Sequence, residues 1–386
     1  MAWVDENINT YVRDLIRPKL HSTYVAVKPL LAILAGQDKA NLDRLGDPKA
    51  GAFWGGKSIG IGERGMLAGS LTHKFSYQKS QTDAASVVQA GGATPTSTGF
   101  GEDNVGTAGV NWTHFWNPLK VREDSILNAQ NVSGTNGEMG RLQIASILEE
   151  AVSMGFQRSL EKQQAQLWAG TLSSAQQDFS VQTWADYIGV THWCGNGVAT
   201  STEATVGGVD RTSHTQLKGN EVAVGSTDFG DGNGELNLRG IRKVRLLGTY
   251  GSIRKRQANA GNLIITTPDI WEGLANEAES KNQINSSDIR ELAVAGFKNP
   301  LIRHDDALIA WDHDCPSGHV YFLTPESWTF ELQSGANFEI EPWERKWRVD
   351  EGGEYYRFTN IHTKSRLVCR RPDLQVKLTG VVALNA

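Results

Sequence analysis

The longest regular pattern in the chain runs from Asn136 to Gly170. Apolar residues at Leu142, Ala145, Leu148, Val152, Phe156 and Leu160 recur every three or four positions, the period of a helix, with no proline in the stretch. Ile144, Ile147, Ala151 and Met154 widen this stripe, so the helix is expected to bury a broad face against a sheet. Asn136 is the expected N-cap, Glu138 stands in the first turn, and Gly170 closes the element. At about 1.5 Å per residue it should be on the order of 45 Å long, well beyond the usual three turns. Gly155 costs about 1 kcal/mol relative to alanine and is expected to mark a bend.

The pattern changes on either side. Val4, Ile8, Val12, Leu15 and Ile16 keep a helical spacing until Pro18 and Pro29 interrupt it, which predicts short helices and an extended arm over residues 1–50. From Gly51 to Arg122, Gly, Ser, Thr and Gln dominate, with strand-like pieces at Leu71–Gln78 and Val110–Trp116. The run from Gln89 to Gly101 between them has too few apolar residues for a packed core, so a long two-stranded excursion with a flexible tip is expected.

Beyond the long helix, Gly195–Gly234 is polar and rich in turn formers. Leu236–Ile253 reads as an amphipathic helix. Asn262–Thr267 is a strand that ends at Pro268, which is well placed to open the next helix, Asp269–Ser280. Further strands are predicted at Leu292–Phe297, Leu301–His304, Leu308–Asp312, Val320–Leu323, Phe338–Glu341, Tyr355–Arg366 and Val376–Val382. The sum is an α+β chain with one long helix, a smaller helical pair and mostly antiparallel sheet.

Charge and cysteine content narrow the function classes. The 38 Lys and Arg against 43 Asp and Glu give a net charge of −5, which argues against a dedicated nucleic-acid binder. Cys194, Cys315 and Cys369 show no Cys-x-x-Cys spacing, so neither a disulfide framework nor a zinc site is expected and a reducing compartment is. The N-terminal residues show no basic-then-apolar secretory pattern, and no run approaches the length of an apolar membrane span.

Several short motifs invite a chemical reading. Gly51–Ser58 (Gly-Ala-Phe-Trp-Gly-Gly-Lys-Ser) matches the phosphate-binding loop pattern, in which Lys57 would pair with phosphate and Ser58 would hold magnesium. That loop needs a buried strand before it and a helix after it. Asn41–Lys49 is no strand, and Ile59–Gly65 is a poor helix. Gly60–Gly65 matches the dinucleotide fingerprint with the same flanks missing. Asp228–Glu235 resembles a calcium loop, but its glycine falls in the wrong slot and no bidentate glutamate closes it.

His304-Asp305-Asp306 and Asp312-His313-Asp314-Cys315 collect metal-ligating types, yet neighbouring strand positions point to opposite faces, so strand-end turns explain them better. Arg242-Lys243-Val244-Arg245 and Arg254-Lys255-Arg256 read as a solvated or subunit-facing helix surface. No catalytic, cofactor-binding or metal residue is nominated, and the chain does not read as an enzyme. Two other classes stay open: a nucleotide-binding enzyme built on Gly51–Ser58, and a carbohydrate-binding surface module using Trp112, Trp116, Trp184 and Trp193 as exposed platforms.

In order and spacing, several segments together resemble the major capsid proteins of tailed bacteriophages, the Hong Kong 97-type fold. Trp112–Arg122 leads through Ser125–Gln130 into the long helix, which closes on Leu167-Trp168-Ala169-Gly170-Thr171. Val206-Gly207-Gly208-Val209-Asp210-Arg211 is similar to a glycine-rich turn in that family, and Gly261–Trp271 to its strand–proline–helix unit. Val294–Ile302, Asp305-Asp306, Asp314–Leu323 and Val376–Gly380 follow in the family's order.

The resemblance covers about residue 100 to the end, whereas the earlier part matches only in layout. It implies an N-terminal arm (1–50), an extended hairpin loop (51–122) and a peripheral domain (123–215) with a spine helix at about 136–170. It further implies an axial domain (216–335) and C-terminal strands (336–386) returning to the peripheral domain. The implied function is a structural coat protein that self-assembles into pentamers and hexamers of an icosahedral head around double-stranded DNA, without gripping the DNA by sequence. A separate scaffolding protein, a portal and decoration proteins are the implied partners, no membrane is involved, and no cofactor is implied. The implied location is the virion, with assembly in the host cytoplasm. Cross-linking through Lys57, Lys74 or Lys79 is not expected, since no partnering pattern accompanies them.

Overall fold

The computed structural model describes residues 66–67, 72–78, 105–123, 138–169, 187–196, 205–207, 209–211, 214, 217–224, 234–249, 261, 263–280, 302–304, 307–324, 327–333, 339–348 and 354–383. The N-terminal arm, the hairpin tip and the expected strand Leu292–Phe297 lie outside these residues, as do both expected caps of the long helix, Asn136 and Gly170.

In chain order come strands β1 (Met66–Leu67), β2 (Thr72–Gln78), β3 (Val105–Asn111) and β4 (Thr113–Arg122), then helices α1 (Glu138–Ala169) and α2 (Val190–Cys194). Strands β5 (Thr205–Val206), β6 (Val209–Asp210) and β7 (Asn220–Ala223) precede helix α3 (Leu238–Thr249), β8 (Leu263–Thr266) and helix α4 (Pro268–Ser280). The last part is sheet-forming: β9 (Ile302–His304), β10 (Ala307–Trp311), β11 (His319–Leu323) and β12 (Trp328–Gln333). It continues with β13 (Glu339–Ile340), β14 (Glu344–Arg348), β15 (Glu354–Cys369) and β16 (Val376–Thr379).

Two larger sheets carry the architecture. The first is organised around β15, which pairs antiparallel with β4, β12, β13 and β14; β1 adds in parallel to β12. The second runs β7-β16-β11-β8-β10-β9, with parallel pairs at β7–β16 and β8–β10. The mixed helix-plus-sheet content and largely antiparallel pairing fit an α+β fold. β13, β14 and β15 therefore ladder in the first sheet, while β16 (Val376–Thr379) pairs in the second.

Helix α1 lies on the first sheet for a reason visible in its residues. Leu148, Val152, Phe156 and Leu160 are buried at steps of four, and Leu167 and Trp168 continue the stripe. They share one core with Phe115, Leu119 and Val121 of β4, alternate residues that point to one face of the strand. Ile147 and Ala151 are half-buried against this core, but Met154 is 48% exposed and does not widen the stripe as expected. Met154 stands two positions from both Val152 and Phe156, which turns it toward the opposite side of the helix. Leu142, Ile144 and Ala145 are outside the residues whose side chains are described.

Gly155 has a role other than a bend. A Cβ there would stand 2.2 Å from Leu119 Cδ2, so glycine lets the uninterrupted helix approach β4 closely. Its carbonyl also accepts a hydrogen bond from Asn117 Nδ2 at 2.6 Å, which fixes the helix to the strand at this point.

The second sheet is covered on both faces. β8, central and buried at all four positions, alternates its side chains between two cores. Ile264 joins Ile241 and Val244 of α3 and Ile270 and Leu274 of α4, while Leu263 and Ile265 join the core that holds α1. A continuous apolar run is what a doubly covered strand requires.

The expected strand Val110–Trp116 is in fact two strands meeting at Trp112. β3 pairs with β2 from Thr72↔Asn111 to Gln78↔Val105, and β4 pairs with β15.

Phe156→Ala should lower the unfolding free energy by about 3–5 kcal/mol, since it leaves a cavity under the helix. Met154→Ala, two residues away on the opposite side of the helix, should cost less than about 0.5 kcal/mol. Urea denaturation of both variants distinguishes a buried from an exposed position.

Candidate functional site: the hairpin base and the joint between sheets

The point where β3 gives way to β4 is built around a buried ion pair. Arg366 and Glu331 are each 1% exposed and bonded through Nε and Oε2. The guanidinium lies 3.8 Å over the Trp112 ring and reaches the Val110 carbonyl at 3.4 Å. Burial pulls the guanidinium below its ordinary pKa, and Glu331 opposes that. An ion pair this deep gains little net stability over apolar packing, but it makes one geometry far better than its neighbours. Here it sets where the hairpin leaves the first sheet.

A second clamp holds the same region. Gly207, at φ +62°, forms the turn between β5 and β6, and its carbonyl accepts from Gly109 N of β3 at 3.0 Å. A Cβ at Gly207 would sit 3.1 Å from the Gly109 carbonyl oxygen, so the contact requires glycine. Arg211, four residues on, is fully buried. Its Nη1 and Nη2 donate to the carbonyls of His192 at 2.5 Å and Trp193 at 2.7 Å, and its Nε donates to Leu217 at 2.6 Å. These carbonyls include the last turn of α2, where helical partners run out.

The joint between α1 and the second sheet is a single carboxylate. Asp312, at the end of β10 and 1% exposed, accepts on Oδ2 from Gln164 Nε2 at 2.6 Å and Trp168 Nε1 at 3.1 Å. Its Oδ1 accepts from Asp314 N at 3.0 Å. Trp168 packs on Tyr321 at 5.0 Å, and Tyr321 bonds Thr191 through its hydroxyl. Gln375 makes a similar joint: its Oε1 accepts from Thr324 N and Trp328 Nε1, and its Nε2 donates to Ser327 Oγ and the Arg371 carbonyl.

The candidate chemical motifs fall differently. Gly51–Ser58 and Gly60–Gly65 lie outside the described residues, as do Arg254–Arg256, Asp305, Asp306 and most of Asp228–Glu235. Asp312 and Cys315 are buried structural groups, and among the described residues no cluster of three or more His, Cys, Asp or Glu is placed to hold a metal ion. Burial pushes the Cys369 thiol up to about 12, and burial together with Asp312 raises Cys315. All three cysteines are buried and none is in a disulfide. Arg242 and Lys243 are exposed on α3.

The exposed-tryptophan platform does not form as expected. Trp112 and Trp193 are 2% and 0% exposed, Trp184 lies outside the described residues, and Trp116 is 53% exposed. Trp193 is drawn in by a hydrogen bond to the Leu367 carbonyl, and Trp112 by the overlying guanidinium.

Sequence reasoning missed Gln164, Gln375, Glu331 and Arg366, whose partners lie 35 to more than 100 positions away or act through the backbone. It also missed α2, β12 and β14. The alternation in Trp328–Gln333 could have found β12. β14, with Glu344, Arg345 and Lys346 all exposed, is held by its ladder to β15 and carries a single apolar residue, Trp347, too little to show an alternation.

Asp312→Ala should leave two buried donors without an acceptor and cost about 2–5 kcal/mol, with a red shift of tryptophan emission as Trp168 loosens; Asp312→Asn should cost less. His192 gives a pH prediction. Burial first, then Arg211 and Lys377, hold its imidazole down at about 4. Between about pH 6.5 and 4 the unfolded chain therefore takes up a proton that the folded chain refuses, so stability present above this window is lost as pH falls through it. His192→Gln should flatten that part of the stability–pH curve, measured by urea midpoints.

No family model matches the chain, and no curated protein matches it. Solved structures that are similar to it include the capsid asymmetric unit of cyanophage A-1(L), at 14% identity over 82% of this chain and 90% of that one, with a TM-score of 0.48. The capsid of Myoviridae phage XM1 matches at 10% identity over 82% and 90%, with a TM-score of 0.46. A virus-like particle from Pyrococcus furiosus matches at 7% identity over 80% and 86%, with a TM-score of 0.34. These three structures are of two phage capsids and a virus-like particle.

Proposed function

We propose that the chain is a structural shell protein that assembles with copies of itself, of the phage coat type. The observation that carries this reading is the β2–β3 hairpin. Its seven residue pairs ladder only to each other among the described strands, while its base is locked by Arg366, Trp112 and Gly207. A two-stranded ribbon is marginal in water by itself, so one held so firmly at its root is suited to lie on another surface. The ordered series of coat-like motifs supports the same reading, with Gly207 of the glycine-rich turn clamping the hairpin and Arg211 tying that turn to α2.

In this reading α1 is the spine helix of a peripheral domain, the second sheet belongs to an axial domain, and the arm and hairpin reach neighbouring subunits. Pentamers and hexamers form an icosahedral head that encloses double-stranded DNA without sequence-specific contact. A separate scaffold, a portal and decoration proteins complete it, with assembly in the host cytoplasm. No enzymatic step is required: expansion is rigid-body movement plus reordering of arm and loop.

Negative-stain electron microscopy and sedimentation velocity of the purified full chain test the proposal. Rings of five or six, closed shells or aberrant tubes are expected, and Arg366→Ala should reduce them by loosening the hairpin base. A uniform monomer at every concentration, alone and with co-expressed neighbouring genes, would overturn it.

A further inference from the structure

We propose that the groove between α1 and the edge of the first sheet is a docking site for an acidic peptide segment of a separate protein, anchored by an apolar side chain. The groove has a volume of about 600 Å³. Leu119, Ala151 and Phe358 supply apolar walls, and the exposed thioether of Met154 stands at its margin. Lys120, Arg158 and Lys346 also line it, and among the described residues no carboxylate does. Lys120 and Arg158 are exposed cations on different elements, so their convergence is a product of α1 packing on β4.

Each part has a physical consequence. A volume of this size suits insertion of one large side chain. Met is unbranched and adaptable, and exposed apolar surface rimmed by charge is typical of interaction sites. Lys346 pairs with Glu344 at 2.8 Å, but both side chains are more than half exposed, so the pair holds it weakly and an incoming carboxylate can take its place. Three cations around an apolar floor select an occupant with carboxylates beside an apolar anchor. A nucleic-acid backbone would satisfy the cations and leave the floor wet.

A second copy of this chain is the competing occupant. Among the described residues, the exposed rings are Trp116, beside His114, and Tyr355, which lies 3.9 Å under the Arg345 guanidinium. Tyr355 would bring a cation toward three cations, whereas Trp116 is linked through Asn360 to the Glu341 carboxylate, so a second copy is the outcome that the test must separate.

The test uses the unassembled full chain and fluorescence anisotropy with a short fluorescein-labelled peptide of Glu and Leu, with a Lys and Leu peptide as its counterpart. The acidic peptide should bind at least ~10-fold more tightly than the basic one. Arg158→Glu should weaken it by ~10-fold or more, Met154→Ala by a smaller factor, and Lys162→Glu, one turn further along α1, by less than ~2-fold. Circular dichroism confirms that each variant is folded.

Equal binding of the two peptides, or no response to Arg158→Glu, would overturn the proposal. So would Arg158-dependent displacement of the peptide by duplex DNA, or a change of oligomeric state on Arg158→Glu, which would assign the groove to nucleic acid or to a second copy. Peptide binding by the unassembled chain does not depend on shell formation, so either reading can fail without the other.

Discussion

The ladder between β4 and β15 is the constraint on which the rest depends. Ten residue pairs, from Thr113↔Ser365 to Arg122↔Tyr356, join segments more than 200 positions apart. This ladder creates the surface that α1 covers with Leu148, Val152, Phe156 and Leu160. It also brings Arg366 over the Trp112 ring, where the hairpin begins. β12, β13 and β14 all add to β15, so loss of this one strand would leave the first sheet without a common partner.

The two sheets communicate through buried polar groups set within apolar contact. Asp312 ties Gln164 and Trp168 of α1 to the end of β10, and Gln375 ties the turn before β16 to Thr324, Ser327 and Trp328. Apolar packing tolerates small slides, whereas a carboxylate or amide bonded on several sides defines one registration. The same logic operates at the hairpin base, where Arg366–Glu331 holds β15 and β12 together under Trp112, and at α2, where Arg211 gathers three carbonyls. A subunit that must present a hairpin and a groove at reproducible positions gains from such joints, because errors of placement multiply across many copies.

The groove beside Gly155 arises from the same packing. Glycine brings α1 close to Leu119, and the close approach leaves Met154 and Arg158 just outside the contact line, facing Lys120 and Phe358. A larger residue at 155 would push the helix outward and change both the core and the groove. Core geometry and surface chemistry are therefore coupled at one backbone position.

Much of the element list was readable from residues alone. The three- and four-residue steps of the long helix, the proline opening α4 and the apolar run of β8 each report a local period or a local backbone preference. Burial from one side needs no knowledge of what lies opposite. What stayed hidden was long-range: Trp112 as a break between strands, Met154 as an exposed position, Gly155 as a close approach, Trp193 as a core residue, and charged β14 as a paired strand. The sequence by itself determined the periods, the turns and the α+β class, because these follow from backbone and side-chain preferences over a few residues. Only the tertiary structure decided which polar groups are buried and where cations converge, because Arg366 and Glu331, or Arg158 and Lys346, meet only after distant segments have paired.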